Sequence, residues 1–399
     1  MARASIRNRR LAFVASAGVL ALGLAACGGS SSTTESSSAP APESSAAPAP
    51  ESSAAPAPES SAAPAPDAGP VAVTLITKDS TNPFFVAMQA GAKEAAASSG
   101  VELTVGSGKE EGDDQGQIDL IEQAIARGDA GILITPMSVN VNAAIEKARA
   151  AGLYVIALDT PTDPPETVDI TFATDNCLAG QAIGEWAAGW LNGEKAVIAE
   201  LVIFDDRVVS VDYCRANGFL TGMGVEVPTL EDMASPSKSG SYTTGAGGDY
   251  EIVCLEATGA NEEGGRAGME KCLAANPDIN VVYTINEPTA FGAAEALKAA
   301  GKTIGKDVII VSVDGGLAGV EAVKAGEIQA TSQQYPLLMA KLGVEAIKVI
   351  AEGGPAPENT SANGQFFDTG VALCTEDPQD TVTSAQQLTA DECIALAWG

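Results

Sequence analysis

The chain has 399 residues, 45% of them hydrophobic, with 52 acidic side chains against 22 basic ones, no histidine and a formal charge of −30. Acidity of that size argues against nucleic acid and anionic headgroups as partners. The absence of histidine removes Ser-His-Asp and Cys-His nucleophile systems, histidine general bases and nearly all catalytic zinc sites.

Arg3, Arg7, Arg9 and Arg10 precede an apolar run from Leu11 to Leu24, followed by Leu24-Ala25-Ala26-Cys27. A positive start, an apolar stretch and a small-residue site make a secretory signal. The run is short of the roughly 20 residues that a membrane span needs. A cysteine just past the site is the bacterial lipoprotein pattern, so residues 1–26 are expected to be cleaved and Cys27 to carry lipid. The plainer alternative is an ordinary signal, or a single-span anchor, with an incidental cysteine. On the lipoprotein reading the protein sits outside the cytoplasm, on the outer face of the cytoplasmic membrane, and meets lipid only through its anchor. Residues 27–70 then read as a stalk. Glu-Ser-Ser-Ala-Ala-Pro-Ala-Pro recurs there from Glu43, Glu51 and Glu59, a composition too poor in apolar groups to fold and stiffened by proline. Four basic residues leave with the signal, which puts the remaining chain near −34.

From Val71 one phrase repeats: a β-branched run, a polar turn, a helix and a glycine. The first set predicts strands at 71–77, 101–105, 131–135 and 155–158, with helices at 82–99, 114–126 and 140–151. The second predicts strands at 196–203, 251–255, 281–285 and 308–313, with helices at 177–191, 211–222, 261–274 and 288–300. A helix at 337–352 and a strand at 366–373 complete the pattern. Near-continuous apolar strands alternating with helices mean doubly wound parallel sheets, here an α/β fold of two lobes. Ser235–Asp249, rich in Ser, Gly and Thr, reads as an excursion loop at the rim of the site.

Apart from Cys27 there are six cysteines: Cys177, Cys214, Cys254, Cys272, Cys374 and Cys393. An even number outside the cytoplasm suggests three disulfides, although six cysteines allow 15 pairings. Nearness in sequence favours Cys254–Cys272 and Cys374–Cys393, which leaves Cys177–Cys214. No Cys-x-x-Cys pair is present, and nothing in the motifs calls for a metal or a cofactor.

Ligands of open α/β sheets bind beyond the carboxyl ends of the strands. Those ends read Lys78-Asp79-Ser80-Thr81-Asn82, Asp159-Thr160-Pro161, Asn286-Glu287-Pro288, Asp314-Gly315-Gly316 and Gln333-Gln334-Tyr335-Pro336. Carboxylates and amides at one rim suit paired sugar hydroxyls, and Phe84-Phe85 offers an aromatic face for the C–H side of a sugar ring. Each has a structural alternative. Asn82-Pro83 and Asn286-Glu287-Pro288 also fit helix entries, Phe84 and Phe85 also fit a core, and Asp159 and Asp314 also fit turns.

With these motifs in place, the stretch Val71–Leu373 resembles the ribose-type periplasmic sugar-binding proteins of ABC importers, whose fold is shared with LacI-type repressors. The resemblance rests on Asn82-Pro83-Phe84-Phe85, Val155–Asp159, Thr174-Asp175-Asn176, Val281–Pro288, Val311–Gly315 and Ala330–Pro336. Lys78 and Val155–Pro161 look most like the branch for fructose and related simple sugars. The resemblance implies two lobes joined by a three-strand hinge near 172–174, 334–336 and 368–370. The N-terminal lobe would be 71–173 plus 335–368, and the C-terminal lobe 174–334 plus 369–399. It implies ligand contacts at Lys78, Asn82, Phe84, Phe85, Asp159, Asn286, Asp314 and Gln334, with Asp206, Arg207 and Asn261 as further candidates. An arginine of the family aligns near Tyr213, so Arg207 or Arg215 would replace it only through a rebuilt loop. The implied partners are one monosaccharide and an ABC permease, and the implied state is a monomer. Three other readings use the same residues: a sensor lipoprotein serving a chemoreceptor or kinase, a glycosidase with Asp159 and Asp314 as its carboxylates, and a repressor-like regulator, which lacks a DNA-binding head here.

Overall fold

The structure, a computed structural model, describes residues 69–207, 209–230 and 237–399. The expected signal, Cys27 and nearly all of the stalk lie outside the described residues. In chain order the first half holds β1 (Ala72–Thr77), α1 (Pro83–Ser99), β2 (Glu102–Ser107), α2 (Asp114–Arg127), β3 (Gly131–Ile134), α3 (Asn142–Ala150), β4 (Tyr154–Leu158) and β5 (Ile170–Ala173). Next come α4 (Asn176–Leu191), β6 (Ala196–Val202), α5 (Ser210–Gly222), β7 (Ser239–Tyr242), β8 (Gly248–Ala257), α6 (Glu262–Ala275), β9 (Val281–Thr284), α7 (Glu287–Ala299), β10 (Ile309–Asp314) and α8 (Leu317–Ala325). The chain continues with β11 (Ala330–Gln333), α9 (Pro336–Ala351), β12 (Phe367–Asp368), β13 (Ala372–Thr375), β14 (Gln386–Leu388) and α10 (Ala390–Ile394).

Two sheets result. The first, in the order β12-β5-β4-β3-β1-β2, is parallel throughout. The second runs β14-β13-β11-β10-β9-β6-β8-β7 and is parallel except where β7 meets β8 and β13 meets β11. Residues of β3 and β4 are buried almost end to end, because helices cover both faces: α1 and α9 on one side of the first sheet, α2 and α3 on the other. The second sheet is covered likewise by α4 and α5 on one face and α6 and α7 on the other.

The chain passes between the sheets three times: from β5 into α4, from β11 into α9, and from β12 into β13. The first and third passages are bonded side by side. Thr369 N–H donates to the Ala173 carbonyl at 2.9 Å, and Thr174 Oγ1 donates to the Gly370 carbonyl at 2.9 Å.

Two expectations are corrected. The single strand expected at 366–373 is two short strands in different sheets, broken at Gly370, whose φ of 91° turns the chain from one lobe to the other. The described part of the 235–249 segment does not rim the cleft. It forms β7, which pairs with the first residues of β8, Ser239 against Glu251 and Tyr242 against Gly248. That is the amino end of a strand running parallel to β6, opposite to the end where the polar tips collect. The Cys177–Cys214, Cys254–Cys272 and Cys374–Cys393 disulfides are present.

Candidate functional site

The tip of β1 is shaped by Asp79, whose Oδ1 accepts from Thr81 N–H and Asn82 N–H at 2.7 Å each and from Thr81 Oγ1 at 2.9 Å. This turn delivers Asn82 to the N-cap of α1, where its side-chain oxygen accepts from Phe84 N–H at 3.0 Å and Pro83 occupies the first helical position. Lys78 is buried beside it, with Nζ 3.2 Å from Glu111 Oε1. At the end of β4, Asp159 adopts a left-handed φ of 64°. Its Oδ2 accepts from Thr160 Oγ1 at 2.8 Å. Oδ1 has no hydrogen-bonded partner, the Arg215 guanidinium standing 3.8 Å away.

The second lobe faces this rim with Arg215, Asn286 and Asp314. Arg215 is 5% exposed. Its Nε donates to Asn176 Oδ1 at 2.8 Å, and its Nη1 to the Ile285 carbonyl at 2.8 Å and to Asp314 Oδ1 at 3.4 Å. Asn286 caps α7 by accepting from Thr289 N–H at 3.1 Å and donates to the Ala260 carbonyl at 3.0 Å. Asp314 has a φ of 136°, a conformation costly for a residue with a side chain. The turn that imposes it is held by Glu287, which accepts from Gly315 N–H at 2.8 Å, Gly316 N–H at 3.1 Å and Thr331 Oγ1 at 2.8 Å. Gln334 Nε2 donates to Asp314 Oδ1 at 2.9 Å.

Burial pushes the Asp314 carboxyl upward from the usual carboxylate range, with Arg215 drawing it back and Asp159 adding repulsion. Burial also raises Glu287, and the Asp314 charge raises it further. Burial raises Glu111 against the pull of Lys78.

Of the residues singled out from sequence, Lys78, Asn82, Phe84, Phe85, Asp159, Asn286 and Asp314 line one cavity between the lobes, about 360 Å³ with its open mouth included. Gln334 does not line it; it stands behind Asp314. Asn261 caps α6 and lines a wider opening, about 940 Å³ with open solvent included, which shares Asn82, Glu111 and Ala260 with the inner cavity. Asp206 and Arg207 are not in the inner cavity. They pair with each other at 3.0 Å, the Arg207 guanidinium lying over the Phe204 ring and against the backbone of Gly112.

Glu111 and Arg215 join the cavity wall beyond the list expected from sequence. Glu111 sits in the run Lys109-Glu110-Glu111, which reads as a solvated turn. Arg215 comes from within α5, and its signal was the arginine expected near Tyr213; no rebuilt loop is needed. Trp398 was also not singled out. Its ring meets Phe84 edge-on at 5.3 Å, and its Nε1 donates to the Gln334 carbonyl at 2.9 Å. The end of the 369–399 segment therefore packs into the core of the first lobe.

The arrangement offers carboxylate acceptors from both lobes, a shared guanidinium, a lysine and an aromatic wall. It has no group placed as a nucleophile beside a base, and among the described residues no cluster of acidic or cysteine side chains could hold a metal ion.

Comparison with known proteins bears on the family and the fold. Residues 72–355 match the periplasmic binding protein domain family. The ribose import binding protein of Bacillus subtilis (strain 168) is 27% identical over 282 residues, 70% of this chain and 82% of that protein. The D-apiose import binding protein of Actinobacillus succinogenes is 31% identical over 290 residues, 72% of this chain and 84% of its own length. Among solved structures, a galactofuranose binding protein superposes with a TM-score of 0.66 at 23% identity, over 82% of this chain and 98% of that one. A solute-binding protein from Actinobacillus succinogenes with bound D-allose superposes with a TM-score of 0.62 at 23% identity, over 76% and 97%; at such identities the structures speak for the fold. The family match runs from β1 to just past α9 and takes in the whole cleft, so this chain, with its two lobes and three crossings, belongs to the periplasmic binding protein domain family and has the type I architecture.

Proposed function

We propose that the cleft captures one monosaccharide, fructose or a related simple sugar, by closure about the hinge, and that the loaded protein delivers it to an ABC importer. The observation that carries this reading is Asp159 and Asp314, one from each lobe, lining a single cavity on either side of Arg215. Their carboxylates would accept from ring hydroxyls, Arg215 and Asn82 would donate, and Phe84 and Phe85 would cover an apolar ring face. A sugar contacting both lobes favours the form in which they meet, which is how ligand affinity becomes a signal that a permease can sense. The names of the relatives support a sugar, and Lys78 supports the fructose side, since the ribose binders resembled here carry a small hydroxyl residue at that tip. The role is capture without turnover, as in the import binding proteins to which the chain is related.

The same reading divides the molecule into lobes at 71–173 plus 335–368 and 174–334 plus 369–399. It makes Lys78, Asn82, Phe84, Phe85, Asp159, Asn286 and Asp314 the binding set, to which the geometry adds Arg215 and Glu111, and it leaves Gln334, expected among the contacts, to support Asp314 from behind. It also holds a monomer at the outer face of the cytoplasmic membrane by lipid on Cys27, with residues 28–70 as the spacer that keeps it near its permease.

Calorimetric titration of the purified chain with fructose, ribose, allose, apiose, xylose, glucose, galactose and myo-inositol tests the proposal. One-to-one binding of at least one sugar is expected, weakened at least tenfold by Asp159→Asn and by Asp314→Asn. Heat from none of them would overturn the simple-sugar reading.

A further inference from the structure

The Cys177–Cys214 disulfide joins the first turn of α4 to α5, across a sequence separation of 37. Its immediate neighbours are the two residues that organise the cation of the cleft: Asn176 precedes Cys177, and Arg215 follows Cys214. Asn176 is fully engaged. Its oxygen accepts from Arg215 Nε, and its amide donates to the carbonyls of Asp159 and Thr174 at 3.2 Å each. Through this one side chain the guanidinium is tied to the β4 tip of the first lobe and to the first hinge passage.

The two helices that carry the pair touch main chain to main chain. A Cβ on Gly180 would stand 2.2 Å from the Arg215 carbonyl oxygen, and one on Gly218 would stand 2.3 Å from that of Cys177. Helix faces normally keep register by interdigitating side-chain ridges. At this contact the ridges are missing, so the glycines permit close approach and do little to oppose sliding along the axis. A slide by one residue's rise, about 1.5 Å, is enough to break the 2.8 Å bond from Arg215 to Asn176 and to draw the guanidinium away from Asp314. The cross-link opposes that slide at the end of the contact nearest Arg215, while the packing of Ile183 and Trp186 with Phe219 and Leu220 lies farther along the helices. The other two disulfides join β8 to α6 and β13 to α10, and no residue beside them in sequence lines the inner cavity.

We propose that the Cys177–Cys214 disulfide is a positioning element for Arg215, and through it for ligand affinity, beyond any part it plays in general stability. The affinity part of this statement rests on the sugar-capture reading above.

The test uses the full chain in two double variants, Cys177→Ala with Cys214→Ala, and Cys254→Ala with Cys272→Ala as the control. Each is read twice: by the dissociation constant for the panel sugar that the parent chain binds most tightly, and by NMR hydrogen exchange of the Arg215 Nε–H against the backbone amides of β6. Loss of Cys177–Cys214 is expected to weaken binding at least tenfold and to speed Arg215 Nε–H exchange at least tenfold, with β6 amides unchanged. The control is expected to change neither, even if it melts at lower temperature. Equal affinity losses in the two variants, or unchanged Arg215 exchange in the first, would overturn the proposal. If no sugar binds the parent chain, the capture reading fails on its own and Arg215 exchange still decides the positioning claim. Should the alanine pair not fold, Cys177→Val with Cys214→Ala restores volume without the tie and is read in the same way.

Discussion

Arg215→Met gives the most direct test of the electrostatics of the cleft. Methionine keeps the apolar stem and removes the guanidinium, together with its bonds to Asn176, Ile285 and Asp314 and its ion pair with Asp159. Removing one partner of a buried charge pair costs about 3–5 kcal/mol, on the order of a 10 °C fall in melting temperature for a protein of this size. The pH dependence separates charge from packing. Burial already holds the Asp314 carboxyl above its ordinary value, and Arg215 is what pulls it down. In the variant its folded-state pKa rises further, so the folded protein retains a proton that the unfolded chain has released, and stability falls as pH rises above the unfolded carboxylate pKa. The deficit relative to the parent chain should therefore be largest near pH 8. Near pH 4 it should shrink to the lost hydrogen bonds, about 1–2 kcal/mol. Thermal melts from pH 4 to pH 8 measure this directly, and adding Asp314→Asn should recover part of the loss at high pH only. A deficit constant across the range would refute the charge argument and leave a packing defect in its place.

Two further outcomes follow from positions that do not themselves line the inner cavity. Glu200 lies in β6 with one carboxylate oxygen lacking a partner, and burial, then repulsion from Asp212, pushes its pKa up to about 8. A raised carboxyl pKa makes stability fall as pH rises from the unfolded value toward about 8, by up to about 1.4 kcal/mol per pH unit. Glu200→Gln should match the parent chain in thermal melts near pH 4.5 and exceed it at pH 8, and parallel curves would contradict this. Gly180→Ala places a methyl group 2.2 Å from the Arg215 carbonyl and should destabilise by about 1–3 kcal/mol in denaturant titration, with weaker sugar binding because Arg215 is displaced.

The fold could be read where one physical pattern acted alone. β1, β3, β4 and β10 are short apolar runs closed by polar tips, and each lies within a residue or two of its expected span. The hinge was harder, because Phe366–Leu373 is uniformly compatible with a strand, and only the presence of two sheets cuts it at Gly370. β11, Ala-Thr-Ser-Gln, carries no hydrophobic pattern and is a strand because neighbours on both sides demand one. The tips of β1, β4, β9 and β10 converge on one cavity because strand direction alone puts them at one rim, while Gln334 beyond β11 falls behind Asp314. Arg215 was the harder case: Asp212, Arg215 and Asn217 are all buried within α5, a pattern that reads as a solvated helix face. Arg215 is buried against Asn176, Asp159 and Asp314, partners distant in sequence, while Asp212 accepts from Ile203 and Phe204 N–H at the end of β6 and Asn217 donates to the Thr229 carbonyl.

The backbone at Asp159 and Asp314 bears on how this site can change over time. Both residues sit at positive φ: Asp159, at 64°, in the left-handed region that asparagine, aspartate and glycine tolerate, and Asp314, at 136°, where any side chain is costly and glycine alone is at ease. A mutation at either position therefore meets a folding penalty before its effect on ligand preference can be selected. Drift toward a new cargo has open routes elsewhere, at Lys78 and Glu111, whose backbones make no such demand. If the proposed binding set holds, two constrained anchors with adjustable neighbours would let one scaffold retain its grip on a hydroxylated ring while its preference among such rings changed.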